Sequence, residues 1–292
     1  MVIDKNGKEW KVVIVTPAGR EKYLSIFKKY IYKEMEAGLV DGWQLWQNTV
    51  KPSDIAYLAS MAAENPKVIV HTIPNLTNRY NFCDTLRSYE FFKNCHDDDT
   101  IYIRFDDDIV WYEKGAIQKY VEARLEHPEA LVVYPIVINS TTVNNWHYRK
   151  GIYTGPVADQ IRKAEDKPGD PDWIYLDAYN YTDSNLADLI HNTFRTKYEA
   201  GMISDYYLPS RSLTDFQRFS ICSICWFGKD KLTPTEFEEA QMAWELPAQF
   251  GRPVWFAGDV VFLHYSYHTQ IDYLESCVPE KLEFYKQLAE QL

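Results

Sequence analysis

Three consecutive acids, Asp106, Asp107 and Asp108, follow the apolar run TIYIRF at positions 100–105. Adjacent carboxylates repel one another, so the cluster is costly unless a cation or hydrogen-bond donors offset it. In extended backbone alternate side chains share a face, which would put Asp106 and Asp108 on one side and Asp107 on the other. Two carboxylates so placed suit a hard divalent cation that keeps open positions for phosphate oxygens. The plainer alternative is an acidic turn at a strand end.

Other residues carry chemistry of their own. His264 ends an apolar run, and His268 follows four residues later. Imidazole mixed with carboxylates binds Mn²⁺, although a lone His after a strand is usually structural. Glu238 and Glu239 open a helical stretch, where the helix dipole favours acids whatever their chemistry. In the segment Thr16-Pro17-Ala18-Gly19-Arg20, Gly19 permits close backbone approach and Arg20 can pair with phosphate. The same residues also suit a strand-to-helix turn with a solvated arginine. Arg87, on the helix before the acidic strand, is either a ribose or phosphate contact or an exposed helix residue. Cys222 and Cys225 have redox or zinc spacing, but no second pair follows, so they read as structural. Trp111, Trp146, Tyr148 and Trp226 could stack on a sugar ring or simply pack.

The elements that position these residues alternate. Trp10 to Thr16 is a buried-strand run ended by Pro17-Ala18-Gly19, and Arg20 to Met35 has helical apolar spacing. Strands follow at 42–49, 67–72 and 100–105, separated by helices from Pro52 to about Ala63 and from Tyr80 to Lys93. This succession predicts a mostly parallel central sheet with helices on both faces. Ligands of such sheets sit beyond the carboxyl ends of the strands, where the Asp cluster falls. Further on, a helix is expected at 114–126, strands at 130–138, 219–227 and 254–265, and helices at 234–244 and 279–292. The stretch 140–183 is polar, aromatic and rich in Gly and Pro. Its run 163–172 reads as a surface loop suited to acceptor recognition.

The chain has 292 residues, 46% of them hydrophobic and 25% charged, enough for one sizeable folded domain. A net charge of −11 argues against a nucleic-acid surface, which needs clustered Lys and Arg. A nucleotide diphosphate remains compatible if a cation bridges the like charges. The 9 Trp and 22 Tyr fit sugar handling and ordinary packing alike. No secretory leader and no membrane span are expected. The five cysteines form no dense framework, and a reducing, cytoplasmic setting is expected. The Asn75, Asn139 and Asn180 glycosylation patterns are then read as chance.

A strand ending in Asp-x-Asp about a hundred residues into a chain that opens with αβ alternation resembles the GT-A glycosyltransferases. The resemblance implies a Rossmann-like α/β fold, one domain over 1–292. Residues 9–115 would form a nucleotide-sugar-binding half, 116–275 an acceptor half and 278–292 a C-terminal helix. It implies a hexosyltransferase moving sugar from a nucleotide-diphosphate sugar donor to a carbohydrate or other hydroxyl acceptor, with Mn²⁺ or Mg²⁺. Asp108 would bind the metal, Asp106 the ribose or metal, and Asp107 could help either. His264 would be a further metal ligand, with His268 as competitor. Pro17, Gly19 and Arg20 would receive the nucleotide, Asn48 the base edges, and Arg87 ribose or phosphate. Glu239, with Glu238 in reserve, would deprotonate the acceptor, although the family's Glu-Asp pair is here Glu-Glu. The alternatives are a haloacid-dehalogenase-type phosphatase and a sugar nucleotidyltransferase. Asp106-x-Asp108-x-Val110 fits the nucleophile motif of the first, but the Gly258-Asp259 segment lacks its second acid. The long glycine-rich loop expected of the second is absent.

Overall fold

The computed structural model describes residues 1–73, 85–165, 183–214, 219–235 and 238–292. Its frame is a mixed α/β arrangement around one curled sheet with flanking helices, compatible with a Rossmann-like fold. In chain order the first elements are β1 (Val2–Ile3), β2 (Glu9–Ala18), α1 (Glu21–Glu36), β3 (Gly42–Gln47), α2 (Pro52–Glu64) and β4 (Val68–Thr72). A 3-10 helix at Thr85–Asn94 leads to β5 (Thr100–Phe105) and β6 (Ile109–Tyr112). Then come α3 (Ala116–Glu126), β7 (Val132–Ile138), α4 (Thr141–Arg149), α5 (Gly155–Glu165) and α6 (Ser184–Glu199). Two further strands are β8 (Arg211–Leu213) and β9 (Ser223–Phe227). Short helical turns between Glu238 and Phe250 precede β10 (Val254–His264), and a helix at Glu280–Glu290 comes last.

The sheet runs β4-β3-β2-β5-β9-β7-β10-β6, with β1 paired to β2 and β8 to β10. The pairs β4–β3, β3–β2, β2–β5 and β7–β10 are parallel, whereas β9 is antiparallel to both β5 and β7. The carboxyl ends of β2, β3, β5, β7 and β10 therefore lie along one edge, and the amino end of β9 joins them. This edge collects the ends of strands from both halves of the chain.

Burial follows the sequence pattern. β5 and β7 are buried throughout, as strands covered on both faces must be. In α1 the apolar stripe Tyr23, Leu24, Phe27, Tyr30 and Ile31 is turned into the core, where Phe27 meets Trp43 and Phe105 edge to face. Trp111 and Trp226 are buried too, the first against Phe194 and Tyr198 and the second between Phe92 and Tyr102. They are core residues, not a sugar platform.

Several elements differ from the sequence reading. β2 continues through Pro17 to Ala18, because beyond Val15 it pairs with β3 alone. A proline without an N–H is tolerated where one side of a strand makes no ladder. The stretch after β7 is helical at α4 and α5, although Thr, Asn and aromatics are poor helix formers. In α4 Thr141, Thr142, Val143, Asn144, Asn145 and His147 are all buried, so tertiary packing overrides propensity. The helix expected from Tyr80 is a 3-10 helix from Thr85, with 80–84 outside the described residues. Most of the expected surface loop at 163–172 also lies outside them. Among the described residues no helix is long and apolar enough to cross a membrane.

Candidate active site at the carboxyl edge of the sheet

β5 ends at Phe105, and a turn at Asp107-Asp108 follows before β6 begins. The turn is closed by Ile109 N–H donating to the Asp106 carbonyl at 3.3 Å. The backbone does not remain extended, so the three acids are not sorted by strand alternation. Asp106 turns to Arg104, and Asp107 and Asp108 share Arg20.

Asp107 turns to the loop after β2. Its Oδ2 accepts the backbone N–H groups of Gly19 at 2.8 Å and Arg20 at 2.9 Å, while Oδ1 accepts Arg20 Nε at 2.8 Å and a second guanidinium N–H. A Cβ added to Gly19 would lie 2.8 Å from Thr49 Cβ and 3.0 Å from the Asn48 carbonyl. The glycine is thus demanded by contact between two loops of the protein itself. Arg20 also reaches Asp108 Oδ2 at 3.1 Å, so its charge is engaged by two buried carboxylates.

Asp108 is fully buried, and its Oδ2 lies 3.3 Å from His264 Nε2. Neither of its oxygens accepts a well-aligned hydrogen bond among the described residues. Burial would raise its pKa, but Arg20 and His264 outweigh that and hold it at about 2. Burial and the neighbouring Asp108 push Asp107 the other way, against the pull of Arg20.

Asp106 turns toward β9 and β10, and its side chain is 23% exposed, the most accessible of the three. It pairs with Arg104 at 2.9 Å, and the same guanidinium nitrogen lies 3.6 Å from Glu238 Oε1. A second Arg104 nitrogen donates to the Ile221 carbonyl at 2.6 Å. Burial alone would lower the Arg104 pKa, but Asp106 and Glu238 raise it, so the charge persists. One ligand atom each of Asp106, Cys222 and His264 lie within 4.8 Å of one another.

Backbone bonds stitch these segments together. Asp106 N–H donates to the Cys222 carbonyl at 3.0 Å, and Tyr265 N–H to the Asp108 carbonyl at 2.9 Å. The β10–β6 register shifts between Leu263 and His264, a bulge that re-aims the imidazole. Asn139, just past β7, has φ 62°, and its carbonyl accepts His264 Nδ1–H at 3.3 Å. Its side-chain amide donates to the Tyr265 carbonyl at 2.9 Å. This left-handed residue fixes the ring tautomer so that Nε2 faces the acids. Burial would lower the His264 pKa, but Asp108 and Cys222 hold it well above the ordinary histidine value. Asn139 is 1% exposed, which closes its glycosylation pattern to modification in the folded chain.

The helical residues Glu238–Ala240 run directly into a π-helical turn, Gln241–Glu245. Such turns are rare and cluster at functional sites. Glu238 is buried 3.6 Å from Arg104, while Glu239 is half-buried and acts on the Arg104 charge more weakly than Glu238 does. Glu238, expected only in reserve, is therefore the glutamate facing the acids. Asn48 is buried at the same edge, and its Oδ1 has no hydrogen-bond partner among the described residues. Pro17 sits within β2 opposite Trp46, one residue from the loop. His268 is exposed and outside the ligand group. The Arg87 side chain lies outside the described residues.

Sequence reasoning missed Arg104, Asn139 and Cys222. Arg104 inside a buried strand needs a buried acid, which was a usable signal. Asn139 and Cys222 give none without the topology.

No protein-family model matches the chain, and no curated protein does either. Among solved structures, the chain is similar to 4-diphosphocytidyl-2C-methyl-D-erythritol synthase from Anaerococcus prevotii. The identity is 11% and the TM-score 0.32, over 44% of this chain and 56% of that one. The chain thus matches little more than half the length of that structure. A likeness this slight fixes neither fold nor chemistry.

Proposed function

We propose that the chain is a metal-dependent glycosyltransferase of the GT-A type, moving a hexose from a nucleotide-diphosphate sugar to a hydroxyl acceptor. One observation carries the reading: Asp106 from β5 and His264 from β10 converge at the carboxyl edge of the sheet, with Asp108 on the same imidazole. Among the described residues the site pairs four carboxylates, Asp106, Asp107, Asp108 and Glu238, with two guanidinium groups. Once a bound ion displaces the Nε2 proton of His264, two negative charges remain, which a divalent cation would offset.

Asp106 and His264 would hold Mn²⁺ or Mg²⁺, with Asp108 able to complete the set. Such an ion supplies Lewis-acid stabilisation of the departing nucleotide diphosphate. The chain's own residues account for the rest. The Asn139 carbonyl holds the Nδ1 proton of His264, leaving Nε2 for ligation. Arg20 ties the β2 loop to Asp107 and Asp108, so that the loop backbone and buried Asn48 can line a nucleotide site. Glu238, 3.6 Å from Arg104, is the group to take the acceptor hydroxyl proton in an inverting transfer. In a retaining transfer it would position the acceptor instead. Residues 9–115 would serve the donor and 116–275 the acceptor.

A thermal-shift panel of UDP-, GDP-, CMP- and dTDP-sugars with and without Mn²⁺ tests this. One nucleotide sugar should raise the melting temperature only with metal, and Asp106→Asn should abolish the shift. Turnover of p-nitrophenyl phosphate without nucleotide-sugar binding would instead favour a phosphatase.

A further inference from the structure

The pair Cys222 and Cys225 has the spacing of a metal clip, yet the structure separates the two. Residues three apart along extended chain face opposite sides. Cys225 lies in β9 on the side of Tyr120 and Arg124. Cys222, at the amino end of β9, is 3% exposed and lies with Asp106 and His264. Its thiol is 2.9 Å from Ser220 Oγ. Its backbone carbonyl is held by Asp106 N–H, so the sulfur is anchored beside the carboxylate.

We infer that Cys222 is a third metal ligand beside Asp106 and His264, and that its sulfur makes the site select a borderline transition ion, Zn²⁺, Co²⁺ or Fe²⁺, over Mg²⁺. A site for Mg²⁺ uses oxygen ligands in a near-ideal octahedron, and a thiolate is a poor partner for so hard an ion. A carboxylate, a thiolate and an imidazole are the donors of a borderline ion. In a tetrahedral site with bonds of about 2.0–2.3 Å, ligand atoms stand ~3.3–3.8 Å apart. The three atoms here lie within 4.8 Å of one another, so a contraction of about 1 Å closes the set. The thiol proton and the Nε2 proton of His264 leave to solvent as the metal–sulfur and metal–nitrogen bonds form. Three protein ligands leave a fourth position open, as catalytic sites require. Asn139 supports the set from outside by holding the imidazole.

The inference rests on the metal site of the proposed function and replaces Mg²⁺ there by a borderline ion, but the ligand set is tested without any sugar donor. Metal-free full-length protein is titrated with Co²⁺. A near-ultraviolet thiolate-to-cobalt charge-transfer band should grow to saturation at one ion per chain. Zn²⁺ should abolish it stoichiometrically, and a thousand-fold excess of Mg²⁺ should not. Cys222→Ser should lose the band and bind Co²⁺ about 10- to 100-fold more weakly, while Cys277→Ser keeps both. X-ray absorption of the Zn²⁺-loaded wild type needs no variant and should show one sulfur at about 2.3 Å. Cobalt bound without the band, or zinc without sulfur, overturns the inference and leaves an oxygen-and-imidazole site for the glycosyltransferase reading. No cobalt binding at all overturns both. A normal sulfur signal in a protein that binds no nucleotide sugar supports the inference and removes only the glycosyltransferase reading.

Discussion

The two sides of the acidic turn differ in how their polar groups are satisfied. On the β2-loop side, Asp107 accepts four donors from Gly19 and Arg20 and is 3% exposed. On the β9–β10 side, Asp106 is the most accessible of the three acids, and Asp108 lacks a well-aligned hydrogen bond. Adjacent residues of one type thus serve opposite ends. Full satisfaction suits Asp107 to a structural clamp, while its neighbours are the groups proposed above to hold a ligand.

The sharpest way to break this contrast is to exchange the outcomes. Asp107→Ala takes one of two buried carboxylates from Arg20 and the acceptor from two loop N–H groups, and should cost about 3–5 kcal/mol in urea denaturation whether or not metal is present. Asp106→Asn should cost less, about 1–3 kcal/mol, because buried Arg104 keeps Glu238 at 3.6 Å and the Ile221 carbonyl, yet abolish metal binding. Equal stability losses in the two variants would dissolve the distinction.

A second contrast sets His191 against His264. His191 donates Nε2–H to the Tyr265 carbonyl at 2.8 Å and pairs Nδ1 with the Tyr285 hydroxyl at 2.7 Å. It is a buried, neutral histidine with both nitrogens occupied, and burial lowers its pKa to about 4. The unfolded chain binds that proton more readily, so the contribution is complete above about pH 6.5 and is lost as pH falls toward 4. The loss is on the order of 3 kcal/mol. Urea midpoints from pH 7 to 4 should fall less steeply for His191→Gln, and identical slopes would remove the histidine from the account.

Next in size, Glu238→Gln should lower sugar transfer by about 100-fold or more, while Glu239→Gln stays within a few-fold. The reverse order would return the catalytic role to Glu239. The smallest effect is expected at Gly19→Ala, where overpacking against Thr49 and Asn48 should cost about 1–3 kcal/mol, seen as a lower melting temperature. No change would mean that the two loops separate easily.

Much of the frame was legible because it rests on local pattern. The strands at 100–105 and 254–264 follow from largely apolar runs, and α1 from its 3.6-residue stripe. Residues 141–149 and 155–165 were not legible as helices, since buried Thr and Asn in α4 are stabilised by packing that no window of sequence contains. The acids and His264 stood out by type and position, but their pairing did not. A two-residue turn after Phe105 redirected Asp106, and the antiparallel β9 brought Cys222 from a segment read as inert. Glu238 was separated from Glu239 only by Arg104, a partner from a distant strand.

The central claim is that the carboxyl edge of the sheet holds a divalent cation at Asp106 and His264. Crystals soaked with Mn²⁺ and a nucleotide-diphosphate sugar should show an anomalous peak at about 2.0–2.3 Å from Asp106 Oδ and His264 Nε2. An anomalous map with no peak between these atoms, or with the ion bound elsewhere, would contradict it.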